Sequence, residues 1–137
     1  MGIQVMWDDE RKWAVQYVFA PKWSWEDLKS AFAEAHALLD TVDYPVHTIL
    51  DMRKTSSLPE HAITQIGKIG VNDPIHRNDS RMIVLVGVSA FVRAIISAAG
   101  KVFKPLSEQN DLRFVKTLEE AQKIVESQKA EEMSKPT

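Results

Sequence analysis

The chain has 137 residues and no cysteine, so a single domain is expected, without a disulfide framework, a thiolate nucleophile or a Cys-ligated zinc. Apolar residues make up 45% and charged residues 26%, and 17 Lys plus Arg against 19 Asp plus Glu leave a formal charge of -2, which excludes the disordered class and disfavours bulk nucleic-acid binding. The longest apolar run, Met82 to Val88, falls far short of the ~20 residues that span a bilayer, and the N-terminus has no leader pattern, so a cytoplasmic protein without membrane insertion is the expectation.

Ile3, Val5 and Trp7 alternate with polar residues, as do Trp13, Val15, Tyr17 and Phe19 after the charged turn Asp8 to Lys12; this predicts an antiparallel hairpin. Pro21 stops its second strand. Ser24 followed by Asp27 reads as a capping box, and Leu28, Ala31, Phe32, Ala35, Leu38, Leu39 and Val42 predict an amphipathic helix ended by Tyr44-Pro45. Val46 to Met52 is rich in β-branched residues and predicts a buried strand. Pro59 to Gly70 predicts a helix with Pro in its first turn, weakened by Gly67 and Gly70, and Asn72-Asp73-Pro74 breaks it.

Met82 to Val88 is apolar on both faces, as a central strand covered on both sides would be. Ser89 caps a helix with an apolar stripe from Val92 to Phe103; Leu112 to Val115 is a short strand; Thr117 and Glu120 cap a last helix. The order ββαβαβαβα predicts an α/β fold: a mixed sheet with an N-terminal antiparallel hairpin, then parallel strands with helices mainly on one face. Residues 1-127 form the domain, and Gln128 to Thr137 read as a polar tail.

Known catalytic and nucleotide-binding motifs are missing, so no cofactor is expected. No pair among His36, His47, His61 and His76 has helical metal-ligand spacing. The crowded Trp7, Trp13, Trp23 and Trp25 have two readings: rim aromatics that stack a base or cap a ligand pocket, or, as favoured here, packing, with Trp7 and Trp13 paired across the hairpin and Trp23 and Trp25 sealing the first helix against it. The candidate site is where the parallel strands end, because helix N-termini there offer free N–H groups to ligands. That end carries Asp51, Arg53, Lys54, Thr55, Ser56 and Ser57 after one strand, and Ser89 with Arg93 after the next. The alternative for Ser57 and Ser89 is ordinary capping.

The segment MIVLVGVSAFVRAIISAAGKVFK, residues 82 to 104, with Ser89, Val92, Arg93, Ala99 and Gly100, together with the closing LRFV strand and TLEEA at Thr117 to Ala121, resembles the STAS domain family. The likeness is to its SpoIIAA-like branch of anti-sigma factor antagonists, which overlaps in shape with lipid-carrying CRAL-TRIO domains, and covers about residues 3 to 127. The family reads Asp-Ser-Ser-Gly-Leu after the first parallel strand, and its second Ser accepts phosphate. This chain reads Thr55-Ser56-Ser57-Leu58, without the acid and the glycine. The resemblance implies a non-enzymatic, phospho-switched module that docks a protein partner around Ser56, Ser57 and the helix from Pro59 to Gly70.

A second expectation is a small-ligand carrier, with a lipid-like or nucleotide-like guest in a crevice between the helices Pro59 to Gly70 and Phe91 to Phe103. Self-association, as a dimer through the hairpin edge, is a third. An enzyme using Asp51, His61 or Ser89 is not supported, because no nucleophile, base and oxyanion donor assemble from neighbouring motifs.

Overall fold

The computed structural model describes residues 2–72 and 76–134, with the side chains of 70–72 and 105–107 outside the description. Asp73 and Pro74 of the expected breaker, and the last three residues of the expected tail, lie outside the described residues. The elements are β1 (Ile3–Trp7), β2 (Ala14–Phe19), α1 (Trp25–Leu39), β3 (Val46–Asp51), α2 (Ala62–Asn72), β4 (Asp79–Val86), α3 (Ala90–Val102), α4 (Lys104–Gln109), β5 (Asp111–Val115) and α5 (Leu118–Ser134). They form a five-stranded sheet in chain order, with β1 antiparallel to β2 and the remaining neighbours parallel. The expected α/β order is therefore present, with α4 as an added short helix started by a proline in its first turn.

Sequential strand order and crossovers of one hand put α1, α2 and α3 on the same face of the sheet. The core divides accordingly. Tyr17, Phe19, Val46, Met52 and Leu85 pack with Leu28, Ala31, Ala35, Val92 and Ile96 on the three-helix face. Ala14, Ile49, Met82, Val84 and Val86 pack with Ala121 and Val125 on the face covered by α5. Period-two alternation along β3 sends Val46, Thr48 and Leu50 to the first face and His47, Ile49 and Asp51 to the second.

Local signals act as expected at three helix starts. The Ser24 hydroxyl accepts from the Asp27 N–H at 3.1 Å while the Asp27 carboxylate accepts from the Ser24 N–H at 2.9 Å. The Ser89 hydroxyl accepts from the Val92 N–H at 3.2 Å, and the Thr117 hydroxyl from the Glu120 N–H at 3.1 Å. Each such cap stabilises its helix by about 1 kcal/mol.

Four expectations are corrected. Helix α2 starts at Ala62, not Pro59, so Pro59 precedes it and Ser57 caps nothing. His61, with a positive φ of 63°, turns the chain into it. Gly67 does more than weaken α2: a Cβ there would sit 2.0 Å from Cδ2 of Phe103, so its absence lets α2 lie close against the end of α3.

Trp7 and Trp13 do not pair. Trp7 faces Val15 across the hairpin and joins the three-helix core, whereas Trp13 joins the α5 core with Arg11 stacked 4.3 Å from its ring centroid. Finally, residues 128–134 are not a tail but the end of α5. Lys129 is only 5% exposed there: its ammonium donates to the Pro45 carbonyl, lies 3.3 Å from Glu132 and sits over the Tyr44 ring. A lysine packs when its stem is buried and its charge is satisfied.

Candidate functional site

At the carboxyl ends of the strands, the expected polar residues mostly satisfy one another. Asp51 is buried, and the Arg53 guanidinium donates to both its oxygens at 2.8 Å, which holds its carboxyl below the usual range. The Arg53 stem lies against Gly87, whose φ of 68° and lack of a side chain make room for it. Thr55 is buried and donates to the Ala20 carbonyl at 3.1 Å. Ser89 is engaged as the α3 cap, and the Arg93 guanidinium stacks 4.3 Å from the Phe114 ring centroid. Ser56 and Ser57 are exposed, and neither hydroxyl makes a hydrogen bond among the described residues. The structure thus brings Asp51, Arg53 and Gly87 together, and no hydrogen bond or ion pair joins Ser56, Ser57 or Arg93 to them.

A second feature lies beneath the helices. Helix α1 runs along β1 and β2, while α2 is carried on α3 and α4 rather than on the strands. Between them, over β3 and β4, is a cavity of about 480 Å³, within the ~300–1,000 Å³ range of ordinary ligand sites. Its floor is the sheet face of Tyr17, Thr48, Leu50, Ile83 and Leu85; α1 contributes Leu28, Phe32 and Ala35; α2 roofs it with Ile66 and Ile69. The expected crevice between α2 and α3 is not where the space is. Those helices pack on each other through Gly67 and Phe103, and the gap opens on the α1 side of α2.

The two ends of the cavity differ. At the carboxyl ends of the strands, Phe19, Trp23 and Trp25 stand edge to face with centroids 5.0 and 5.1 Å apart, and the Trp25 indole donates to the Glu60 carbonyl at 2.9 Å. Trp23 and Trp25 therefore seal the start of α1, as expected, and Trp25 also ties it to the segment leading into α2. At the opposite end, His36, Asp79, Arg81 and Asn110 form a polar rim. His36 lies 5.4 Å from His76 between ring centroids, and His76 contacts the Asp40 carboxylate at 2.6 Å. No group of three metal-ligand side chains occurs among the described residues.

Arg81 owes its place to an irregularity in the sheet. Val46 pairs with Asp79 and Thr48 with Ile83, so two steps along β3 match four along β4. The surplus forms a bulge in which Arg81 has a positive φ of 69°; strained backbone of this kind costs about 1–3 kcal/mol. Bulges re-aim side chains, and this one brings Arg81 to the cavity end, where its Nε donates to the Gln109 carbonyl at 3.1 Å.

Besides the exposed Lys29 ammonium, three polar groups in the cavity wall lack partners among the described residues. Tyr17 is only 5% exposed and its hydroxyl makes no hydrogen bond among the described residues; the same holds for the hydroxyl of the partly buried Thr48. The Trp23 indole nitrogen is buried without an acceptor. Sequence reasoning missed all of this. The one available signal was Thr48, a hydroxyl in the otherwise apolar inward series Val46, Leu50 and Met52.

No known protein family, curated protein or solved structure matches this chain. The α/β fold with its five-stranded mixed sheet stands on the structure itself, and no helix is long and apolar enough to cross a membrane among the described residues.

Proposed function

We propose that the chain is a non-enzymatic binding protein for a small apolar molecule held between the sheet and helices α1 and α2. The carrying observation is the cavity: about 480 Å³ of largely apolar space with a polar rim at one end. The cavity opens to solvent, so its apolar walls lie against water, which is a cost unless a guest covers them. The resemblance to domains that overlap in shape with lipid-carrying folds agrees with this reading. Native mass spectrometry of the purified protein, joined to titration of Trp23 and Trp25 fluorescence with medium-chain apolar compounds, tests it. A bound mass or a saturable fluorescence change is expected; a bare chain whose fluorescence stays flat through the series contradicts it.

A second reading keeps the STAS-like switch. Ser56 and Ser57 are exposed with free hydroxyls among the described residues, which leaves them open to a kinase and a protein partner. With α2 starting at Ala62, a phosphate on Ser57 would lie outside the first helical turn and gain little from its field. Pull-down with wild type and Ser57→Glu tests this switch, and an unchanged set of captured partners removes it. Pairing of two copies along the outer strand β1 belongs to the same reading, with light scattering as its check.

A further inference from the structure

The unpartnered polar groups say what kind of molecule the cavity suits. Tyr17 and Thr48 project from the same face of adjacent strands: Val15 pairs with Thr48 and Tyr17 with Leu50, so the two hydroxyl-bearing residues are diagonal neighbours. A tyrosine hydroxyl in such surroundings ordinarily finds a partner, and neither hydroxyl is sealed from solvent, so each offers a donor to whatever fills the cavity. Neither hydroxyl has a partner among the described residues, and both residues line the cavity. Burial and the nearby Asp79 carboxylate push the Tyr17 phenol well above its ordinary pKa, so it stays a donor at any ordinary pH.

The charges at that end are already matched. Arg81 and Asp79 face each other at 3.8 Å, the Asp79 carboxylate also accepts from the Arg81 N–H at 2.8 Å, and Arg81 Nε is engaged with Gln109. At that end an anionic head would meet Asp79 and a cationic head would meet Arg81; the other charged residue of the lining, Lys29, is exposed on α1 and keeps its ammonium in water. Burying an ion without a counterion of its own costs several kcal/mol. Along β3 the lining runs from Thr48 to Met52, four steps at about 3.3 Å or roughly 13 Å, which favours an extended guest over a compact one. At the far end the Trp23 indole N–H is a third unmatched donor.

We infer that the guest is an uncharged, chain-like molecule with an acceptor oxygen, such as an ester or carbonyl, that takes hydrogen bonds from the Tyr17 and Thr48 hydroxyls. This rests on the reading of the cavity as a binding site and adds the chemical class.

The test uses four probes of one chain length, dodecane, methyl dodecanoate, dodecanoate and dodecylamine, titrated into the full chain with tryptophan fluorescence as the readout. Methyl dodecanoate is expected to bind about tenfold tighter than dodecane, the equivalent of one net hydrogen bond, and tighter than the acid or the amine. Tyr17→Phe and Thr48→Val remove one hydroxyl each at nearly constant shape. Combined, they are expected to reduce the ester's roughly tenfold advantage over the alkane to about onefold; each single variant is expected to do part of this, so the test survives if the double variant folds poorly. Equal or tighter binding of the acid or amine, or an ester affinity untouched by these variants, overturns the inference and leaves the apolar site standing. Binding by none of the four overturns the proposed function along with it.

Discussion

The two faces of the sheet are built from the same strands yet end in opposite states. On one, α5 lies directly against Ile49, Val84 and Val86, with Ala121 and Val125 fully buried at the contact. On the other, α1 and α2 stand apart over Thr48, Leu50 and Ile83, and a cavity remains. A small residue facing the sheet does different things in the two places. Ala121 brings α5 close, while Ala35 on α1 leaves space because α2, held by Phe103 and Gly67, does not descend to fill it. The closed face carries stability and the hollow face carries the opportunity to bind.

The sharpest way to break this contrast is to truncate neighbours on β3 that point to opposite faces. Ile49→Ala, fully buried under α5, is expected to cost about 3–5 kcal/mol in urea unfolding, whereas Leu50→Ala, which only enlarges existing space, is expected to cost about 2 kcal/mol or less. Equal losses would mean that both faces are packed alike.

Enlarging the two alanines is the converse. Ala121→Leu is expected to destabilise by about 1–3 kcal/mol through overpacking. Ala35→Leu, facing the cavity, is expected to leave the urea midpoint unchanged or raise it by about 0.5–1 kcal/mol equivalent while abolishing probe binding. Gly67→Ala is expected to lose about 1–2 kcal/mol, because its methyl would collide with Phe103, and to loosen α2 enough to weaken binding.

The smallest effect concerns acid. His47, on the α5 face, is buried between Ser80 and Glu132, with Lys129 and Arg113 nearby, and burial holds its pKa below the ordinary value of 6.5. The unfolded chain therefore takes up a proton as pH falls through about 6.5 while the folded one resists. Stability should fall with acidification below that point, by at most about 1.4 kcal/mol per pH unit for one proton. Urea midpoints between pH 7.5 and 5.5 should show a shallower acid loss in His47→Asn than in wild type; equal slopes would reject the assignment.

The fold was legible because alternation, helical stripes and capping pairs such as Ser24 with Asp27 are local, and each is satisfied locally. What sequence reasoning could not reach depends on distances between elements. Gly67 reads as a weak point in a helix until Phe103 is placed against it. Lys129 reads as solvated until the Pro45 carbonyl and the Tyr44 ring meet it. The polar residues after β3 stand out in the chain, yet the Asp51 and Arg53 pair spends its charges internally. The cavity leaves almost no sequence signal, since a wall of Leu, Ile and Phe looks the same whether the space beside it is full or empty.

Methyl-resolved NMR during titration with methyl dodecanoate tests the central claim most directly. Shifts are expected at Leu50, Ile66, Ile69, Ile83 and Leu85, which border the hollow, while Ile49, Val84 and Val125 under α5 stay still. Perturbations that centre on the α5 side, or a spectrum that saturating probe leaves unmoved, would contradict the account.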